Sequence, residues 1–330
     1  MGYRTVGLII LGSVLLLGTG IALEMFVPRT SVKIVTTPAA PHVDVNTVKH
    51  SYINPTVTSN LGKHFIINFL PLKNQLTEIQ KKYLQKTYVY FAYLNNGSWV
   101  GLNERDLFVA ASTVKVPLAM TLFKAVEDGK LKLTDSYSLD ELDLDERFGD
   151  LYKVGADKQF SVEELVKIML EQSDNTAMNA VLTIFKKIGV DDPFAEVYAA
   201  MGWQASNIDL IPDIGSAPTY QEIHLKALTN MFLALYNATY LNLDHSEQIL
   251  TYLSNTPFND KIVADIPDGI TVSHKIGVAT NKETFSDCSI IYAPNRNYVL
   301  CLGSNGGDEK RAAQFMAEVS KAVYQYVINN

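Results

Sequence analysis

The stretch that most restricts how this 330-residue chain can fold is ASTVKVPLAMTLFKAV, residues 111–126. From Val114 onward it is apolar on most sides of a helix. A helix over residues 112–127 must therefore be buried on most faces, which requires a domain with other elements packed around it. Pro117 has no backbone N–H and is tolerated only near a helix start, so the helix begins close to Ser112. Ser112 and Lys115 then share one face, one turn apart, beside the positive end of the helix dipole. A serine hydroxyl is a poor nucleophile without a base, and an amine one turn away is within reach of it. Taken alone, Ser-x-x-Lys is common by chance. It equally describes a helix start with Ser112 as cap and Lys115 in solvent.

Two later segments change that reading. Ser173-Asp174-Asn175 lies in EQSDNTAMNAVL, and Lys275-Ile276-Gly277 lies in VSHKIGVAT. The intervals are 61 residues from Ser112 to Ser173 and 102 from Ser173 to Lys275. The three segments together resemble the Ser-x-x-Lys, Ser-Asp-Asn and Lys-Thr/Ser-Gly signatures of the penicillin-recognising serine enzymes. Their spacing is similar to that of the class A beta-lactamase branch, and the resemblance runs from about residue 75 to the C-terminus.

The order of elements agrees with it. Residues 76–83 carry apolar side chains at helical spacing. TYVYFAYLNNGSWVGLN reads as two strands around the turn signal Asn96-Gly97. Residues 132–160 are polar, acidic and loop-rich. Ser161-x-x-Glu164 is a capping box for the helix VEELVKIMLEQ. Ser173-Asp174-Asn175 then forms a short turn before a helix over 176–187, where Asp174 also suits a helix cap. Residues 201–219 form a loop, followed by helices from about residue 220 and over 246–255. Strands are expected over 270–275, 289–292 and 298–302, with a closing helix over 309–328. Strands near both ends with helices between them predict an α/β sandwich. The resemblance implies a mostly antiparallel five-stranded sheet flanked by N- and C-terminal helices, an inserted all-helical lobe (about 117–268), and a groove between lobes as the site.

Residues 6–27 are almost wholly apolar and long enough to cross a bilayer. Arg4 in the preceding segment, residues 1–5, marks the cytoplasmic side. A cleaved secretory signal is the alternative, but no Ala-x-Ala site follows. Residues 28–72 read as an extracytoplasmic stalk, with residues 67–72 packing on the domain or on the bilayer, and residues 73–330 as the catalytic domain. The expected location is a single-pass cell-membrane protein with its domain outside, or a secreted one if the segment is cleaved. The net charge of −7 and the lack of basic clusters give no hint of nucleic acid binding. No Cys/His spacing suggests a metal, and no cofactor is expected. Cys288 and Cys301 flank an expected hairpin. A disulfide there needs unusually close diagonal placement, so they read as two buried small apolar residues.

The resemblance also implies roles. Ser112 attacks a carbonyl and is acylated, and Lys115 takes its proton. Lys115 must then be partly neutral, a state favoured by burial and by a second ammonium, Lys275. Ser173 bridges Lys115, Lys275 and the leaving nitrogen. Asn175 orients Lys115 and binds the amide of the substrate's acyl side chain. The oxyanion hole is formed by the N–H groups of Ser112 and Val278.

Two departures stand out. The family's deacylating glutamate lies in an omega loop, and here residues 201–219 hold no glutamate. Asp213 is the carboxylate nearest the corresponding place, so acyl-enzyme hydrolysis is expected to be weak. Ile276 replaces a hydroxyl residue that helps hold a substrate carboxylate. His274 either supplies a replacement donor or packs at the strand edge. The implied activity is cleavage of a beta-lactam-type amide. The alternatives are a D-alanyl-D-alanine peptidase or transpeptidase acting on peptidoglycan stem peptides, a non-catalytic wall-binding homologue, and a lipolytic esterase with an apolar groove.

Overall fold

The computed structural model describes residues 51–52, 67–202 and 222–330. The apolar stretch 6–27, most of the segment 28–72 expected to form a stalk, and Asp213 lie outside the described residues. Among the described residues no helix is long and apolar enough to cross a membrane.

The described domain opens with helix α1 (Leu70–Gln80) and the hairpin β1 (Lys86–Tyr93) and β2 (Trp99–Leu102). Its turn uses Gly97 at φ 73°, a left-handed conformation that costs glycine little. A short strand, β3 (Phe108–Val109), leads to a 3-10 turn (Ala111–Val114) and then to helix α2 (Lys115–Glu127). The helical lobe follows. Its elements are β4 (Ser136–Ser138), β5 (Gln159–Ser161), α3 (Val162–Glu171), α4 (Asn175–Lys187), α5 (Ala195–Ala200), β6 (Glu222–Ile223), α6 (Leu225–Tyr236) and α7 (Leu243–Ser254). The chain returns through β7 (Val272–Ala279), β8 (Thr284–Ile291) and β9 (Tyr298–Asn305), and closes with α8 (Glu309–Asn329).

The main sheet has five strands in the order β2-β1-β9-β8-β7, every neighbouring pair antiparallel. Alternation along the strands gives it two apolar faces. Tyr88, Tyr90, Cys288, Ile290 and Val299 pack in the same core as the helical lobe. Val89, Phe91, Phe285, Leu300 and Leu302 pack with α1 and α8. Phe315, Met316, Val319 and Val323 of α8 are fully buried there. At roughly 1.5–3 kcal/mol each, they outweigh a surface ion pair such as Lys321–Asp265, of a kind that contributes about 0–1 kcal/mol. Apolar burial therefore holds α8 in place.

Helix α2 is buried along most of its length, including Leu118, Ala119, Met120, Leu122 and Phe123. The predicted capping box forms: Ser161 Oγ accepts from Glu164 N–H at 3.1 Å, and Glu164 Oε2 accepts from Ser161 N–H at 2.7 Å. Phe69 and Leu72 are buried in the α1–α8 layer, so residues 69–72 pack on the domain. Tyr52 also touches the domain, its N–H donating to Glu247 Oε2 at 2.9 Å and its ring meeting Tyr292 edge-on.

Two sequence expectations need correction. The strand expected over 270–275 continues to Ala279, so Gly277 lies inside β7 rather than at its end. Cys288 and Cys301 sit directly opposite one another, with a Cα–Cα separation of 4.0 Å, and are joined as a disulfide. The hairpin is centred on Pro294-Asn295, with Asn295 left-handed at φ 60°. That register places the cysteines face to face rather than diagonally.

Candidate active site

Ser112 is held on the 3-10 turn that enters α2. The preceding Ala111 has φ 49°, a left-handed conformation costly for a residue with a Cβ. Thr113 braces the turn: its N–H and its hydroxyl both donate to the Ala110 carbonyl, at 3.2 and 2.6 Å. The α-helix proper starts at Lys115 rather than Ser112. Pro117 falls in its first turn, where the missing donor leaves no helical bond unmade.

Lys115 is fully buried, with its amine between the Ser112 turn and the Ser173-Asp174-Asn175 turn. Nζ lies 3.1 Å from Ser112 Oγ, 2.8 Å from Asn175 Oδ1, 2.5 Å from the Ser173 carbonyl and 3.4 Å from Ser173 Oγ. Burial lowers its pKa to about 7, and the charge of Arg147 acts in the same direction. Asp174 and Asp145 oppose that shift. Near neutral pH a large share of Lys115 is a free amine with a lone pair beside the serine hydroxyl.

Ser173 is almost fully buried and also left-handed, at φ 57°. This conformation turns both its carbonyl and its hydroxyl toward Lys115. Asp174 caps α4, with Oδ1 accepting from Ala177 N–H at 2.9 Å and Oδ2 accepting from Leu151 N–H at 2.9 Å. Gly149 lets the neighbouring loop pass over it. A Cβ there would stand 2.7 Å from the Asp174 Cα, and the backbone is at φ 91°. Asn175 starts α4, its N–H donating to the Phe148 carbonyl at 2.9 Å.

Lys275 comes from β7 and is also buried. Burial first, then the charge of Lys115, hold its pKa well below the ordinary lysine value, against Asp287. Gly277 explains how an edge strand reaches the nucleophile turn. A Cβ on it would stand 2.6 Å from the Ala110 carbonyl and 2.4 Å from Ser286 Oγ, so only glycine fits. Val278 is next along this edge. Its side chain packs against the α1–α8 layer, so what it can offer the groove is its backbone.

A family model described as the beta-lactamase enzyme family matches residues 71–327. The chain belongs to the beta-lactamase enzyme family. It is a serine hydrolase of the beta-lactamase type, and its fold recurs in solved relatives. A beta-lactamase from Sphaerobacter thermophilus is 21% identical with a TM-score of 0.71, over 80% of this chain and 99% of that one. A PBP-A mutant solved as an acyl-enzyme complex with penicillin G is 22% identical with a TM-score of 0.71, over 79% and 97%. The TLA-3 extended-spectrum beta-lactamase is 18% identical with a TM-score of 0.71, over 79% and 100%. A comparison with curated proteins gave no match.

Within this beta-lactamase fold, two of the expected site side chains lie elsewhere. His274 is buried, and its Nδ1 is 3.0 Å from Asp287 Oδ1. The other oxygen of Asp287 accepts from Ile262 N–H at 3.2 Å. Side chains of successive strand residues point to opposite faces, so His274 turns away from the Lys275 side. It is a satisfied sheet-layer histidine rather than a replacement donor beside Lys275. Ile276 shares that face by strand alternation and is 4% exposed. The hydroxyl is missing from position 276, but the isoleucine adds little apolar surface to the groove. Asp213 lies outside the described residues.

Sequence reasoning missed Asp145, Arg147 and Phe148. They sit in the acidic stretch read as loop, yet they pack against the start of α4. The available signal was an aspartate and an arginine two residues apart in a segment that must lie over the Ser-Asp-Asn turn.

Proposed function

We propose that the chain is an exported active-serine enzyme that opens beta-lactam-type amides through an acyl-enzyme on Ser112 and releases the product slowly. The observation that carries this reading is the buried Lys115 amine, 3.1 Å from Ser112 Oγ and depressed to about pKa 7. As Ser112 Oγ attacks the carbonyl carbon, its proton passes to Lys115 Nζ. The oxyanion is met by the N–H groups of Ser112 and Val278, donors of a kind that contribute roughly 3–4 kcal/mol to catalysis. The Ser173 hydroxyl, 3.4 Å from Lys115, relays the proton to the departing nitrogen. Lys275 offers its amine to an acidic group on the leaving side, whose negative charge favours the protonated form that burial and Lys115 disfavour. A penicillin G acyl-enzyme formed by a PBP-A mutant of like fold supports this choice of substrate class.

Deacylation needs a base for water on the second half of the cycle. Residues 201–219 contain no glutamate, and Asp213 is shorter by one CH₂. A misplacement of about 1 Å costs roughly a hundredfold. The same absence favours a second reading, a D-alanyl-D-alanine peptidase or transpeptidase acting on peptidoglycan stem peptides. We place the domain outside the cytoplasmic membrane, anchored through residues 6–27. Incubation with a fluorescent penicillin and with a D-Ala-D-Ala stem peptide tests the two readings. A long-lived adduct with slow turnover supports the first, and rapid D-alanine release moves the assignment to the second.

A further inference from the structure

Upstream of α1, Tyr52 is held by the domain through its backbone and its side chain alike. Its N–H donates to both oxygens of Glu247, at 3.1 and 2.9 Å. Its carbonyl accepts from the Tyr292 hydroxyl at 3.1 Å, and its own hydroxyl meets Ser254 Oγ at 3.0 Å. Its ring lies edge-on to Tyr292, with centroids 5.3 Å apart. A backbone N–H on a carboxylate is a charge-assisted bond, one of the stronger kind. With both backbone groups and the ring engaged, the segment is fixed in position and in direction.

The socket lies at a definite end of the molecule. Glu247 and Ser254 are seven residues apart on α7, two turns, so they share one face of it. That helix is bound in turn to β7, where the Leu250 carbonyl accepts from Ser273 Oγ at 2.8 Å. Tyr292 stands just beyond the Val272–Ile291 pair that ends the β7–β8 ladder, its N–H donating to the Thr271 carbonyl at 3.0 Å. Gly277, which meets the nucleophile turn, is six residues further along, about 20 Å at the usual rise per residue. The end of α8 lies beside the socket end of the sheet, with Arg296 Nη1 donating to the Val327 carbonyl at 2.7 Å.

We propose that Tyr52 is the docking point of the membrane tether, clasped between α7 and Tyr292, so that residues 28–51 rather than 28–69 set how far the Ser112 site stands from the bilayer. The tether role rests on the anchor at residues 6–27 proposed above, whereas the clasp itself does not. A fully extended chain spans at most about 3.6 Å per residue. The longest reach is then about 85 Å with the clasp closed and about 150 Å with it open. Entry at the far end of β7 also turns the nucleophile end of the sheet away from the membrane.

The test uses the full chain in liposomes that carry an acceptor dye on the lipid headgroups, with a donor dye at the C-terminus. Amide hydrogen exchange is followed on the same samples. In the wild type the Tyr52 amide is expected to exchange about a hundredfold more slowly than unstructured chain. Glu247→Ala is expected to speed it about tenfold, and Tyr52→Ala to speed exchange across residues 243–254. Energy transfer to the lipids should fall in both variants, since the domain can then stand further from the bilayer. A Tyr52 amide that exchanges at the unstructured rate in the wild type overturns the clasp. Equal energy transfer in the wild type and in a variant with released exchange overturns the tether role. If Tyr52→Ala does not fold, Glu247→Ala decides both points. A wild type that does not float with liposomes would count against the anchor at residues 6–27, while the exchange rates would still judge the clasp.

Discussion

Gly277 of β7 faces the Ala110 carbonyl so closely that a Cβ there would stand 2.6 Å from the oxygen. The nucleophile turn and the edge of the sheet meet through this glycine. Gly277→Ala is expected to fold with a loss of about 1–3 kcal/mol, the usual result of overpacking. It is also expected to push β7 away from Ser112, and a displacement near 1 Å lowers acylation about a hundredfold. Urea unfolding and the labelling rate with a fluorescent penicillin check both parts. Labelling at the wild-type rate would show that β7 does not complete the site.

The pH dependence of acylation follows from Lys115. Its pKa is lowered to about 7, and the neutral amine is the form that accepts the Ser112 proton. The acylation rate should therefore fall about tenfold per unit as pH drops below 7 and level off above about 8. A stopped-flow series from pH 5 to 9 measures it. A limb centred near 10, the value of an ordinary lysine, would contradict the assignment of Lys115 as base.

Asp174 acts through structure. It is fully buried and accepts N–H bonds from Ala177 and Leu151. Asp174→Ala leaves both donors without that acceptor, at about 1–3 kcal/mol for each buried group. A loss of roughly 2–5 kcal/mol in chemical denaturation is expected, with partial loss of labelling because the Ser173 turn loosens. An unchanged midpoint of unfolding would show that neighbouring groups replace the cap.

His274 provides a contrast. His274→Ala leaves the buried Asp287 carboxylate without its Nδ1 partner. The expected cost is about 1–3 kcal/mol, more if the aspartate stays ionised. Since the ring lies on the α8 side of β7, the relative rates with carboxylate-bearing and neutral acylating probes should stay the same. A selective loss for the carboxylate probe would return His274 to the groove.

Much of this site could be read in the sequence because its chemistry is tied to short local patterns. Ser112 and Lys115 are one turn apart, and Pro117 fixes where that turn begins. Ser173, Asp174 and Asn175 are consecutive. The strands around Asn96-Gly97 and Pro294-Asn295 carry their own turn signals. Orientation across the sheet was harder to read. His274 and Ile276 are next to Lys275 in the chain, but strand alternation turns them to the opposite layer. The disulfide depended on where the β8–β9 turn is centred, since a register displaced by one residue would have separated Cys288 from Cys301. Asp145 and Arg147 were missed because their role comes from tertiary packing of an irregular acidic loop on α4, which leaves no periodicity to read.

The most direct test of the central claim is intact-mass analysis of the protein after incubation with benzylpenicillin, with Ser112→Ala in parallel. The wild type should gain the mass of one intact penicillin, mapped to the peptide containing Ser112. That adduct should persist for minutes or longer, in keeping with the absence of glutamate from residues 201–219. The Ser112→Ala protein should gain nothing. A folded wild type that forms no adduct with benzylpenicillin or with other acylating probes, or an adduct that survives in Ser112→Ala, would contradict the assignment of Ser112 as the nucleophile.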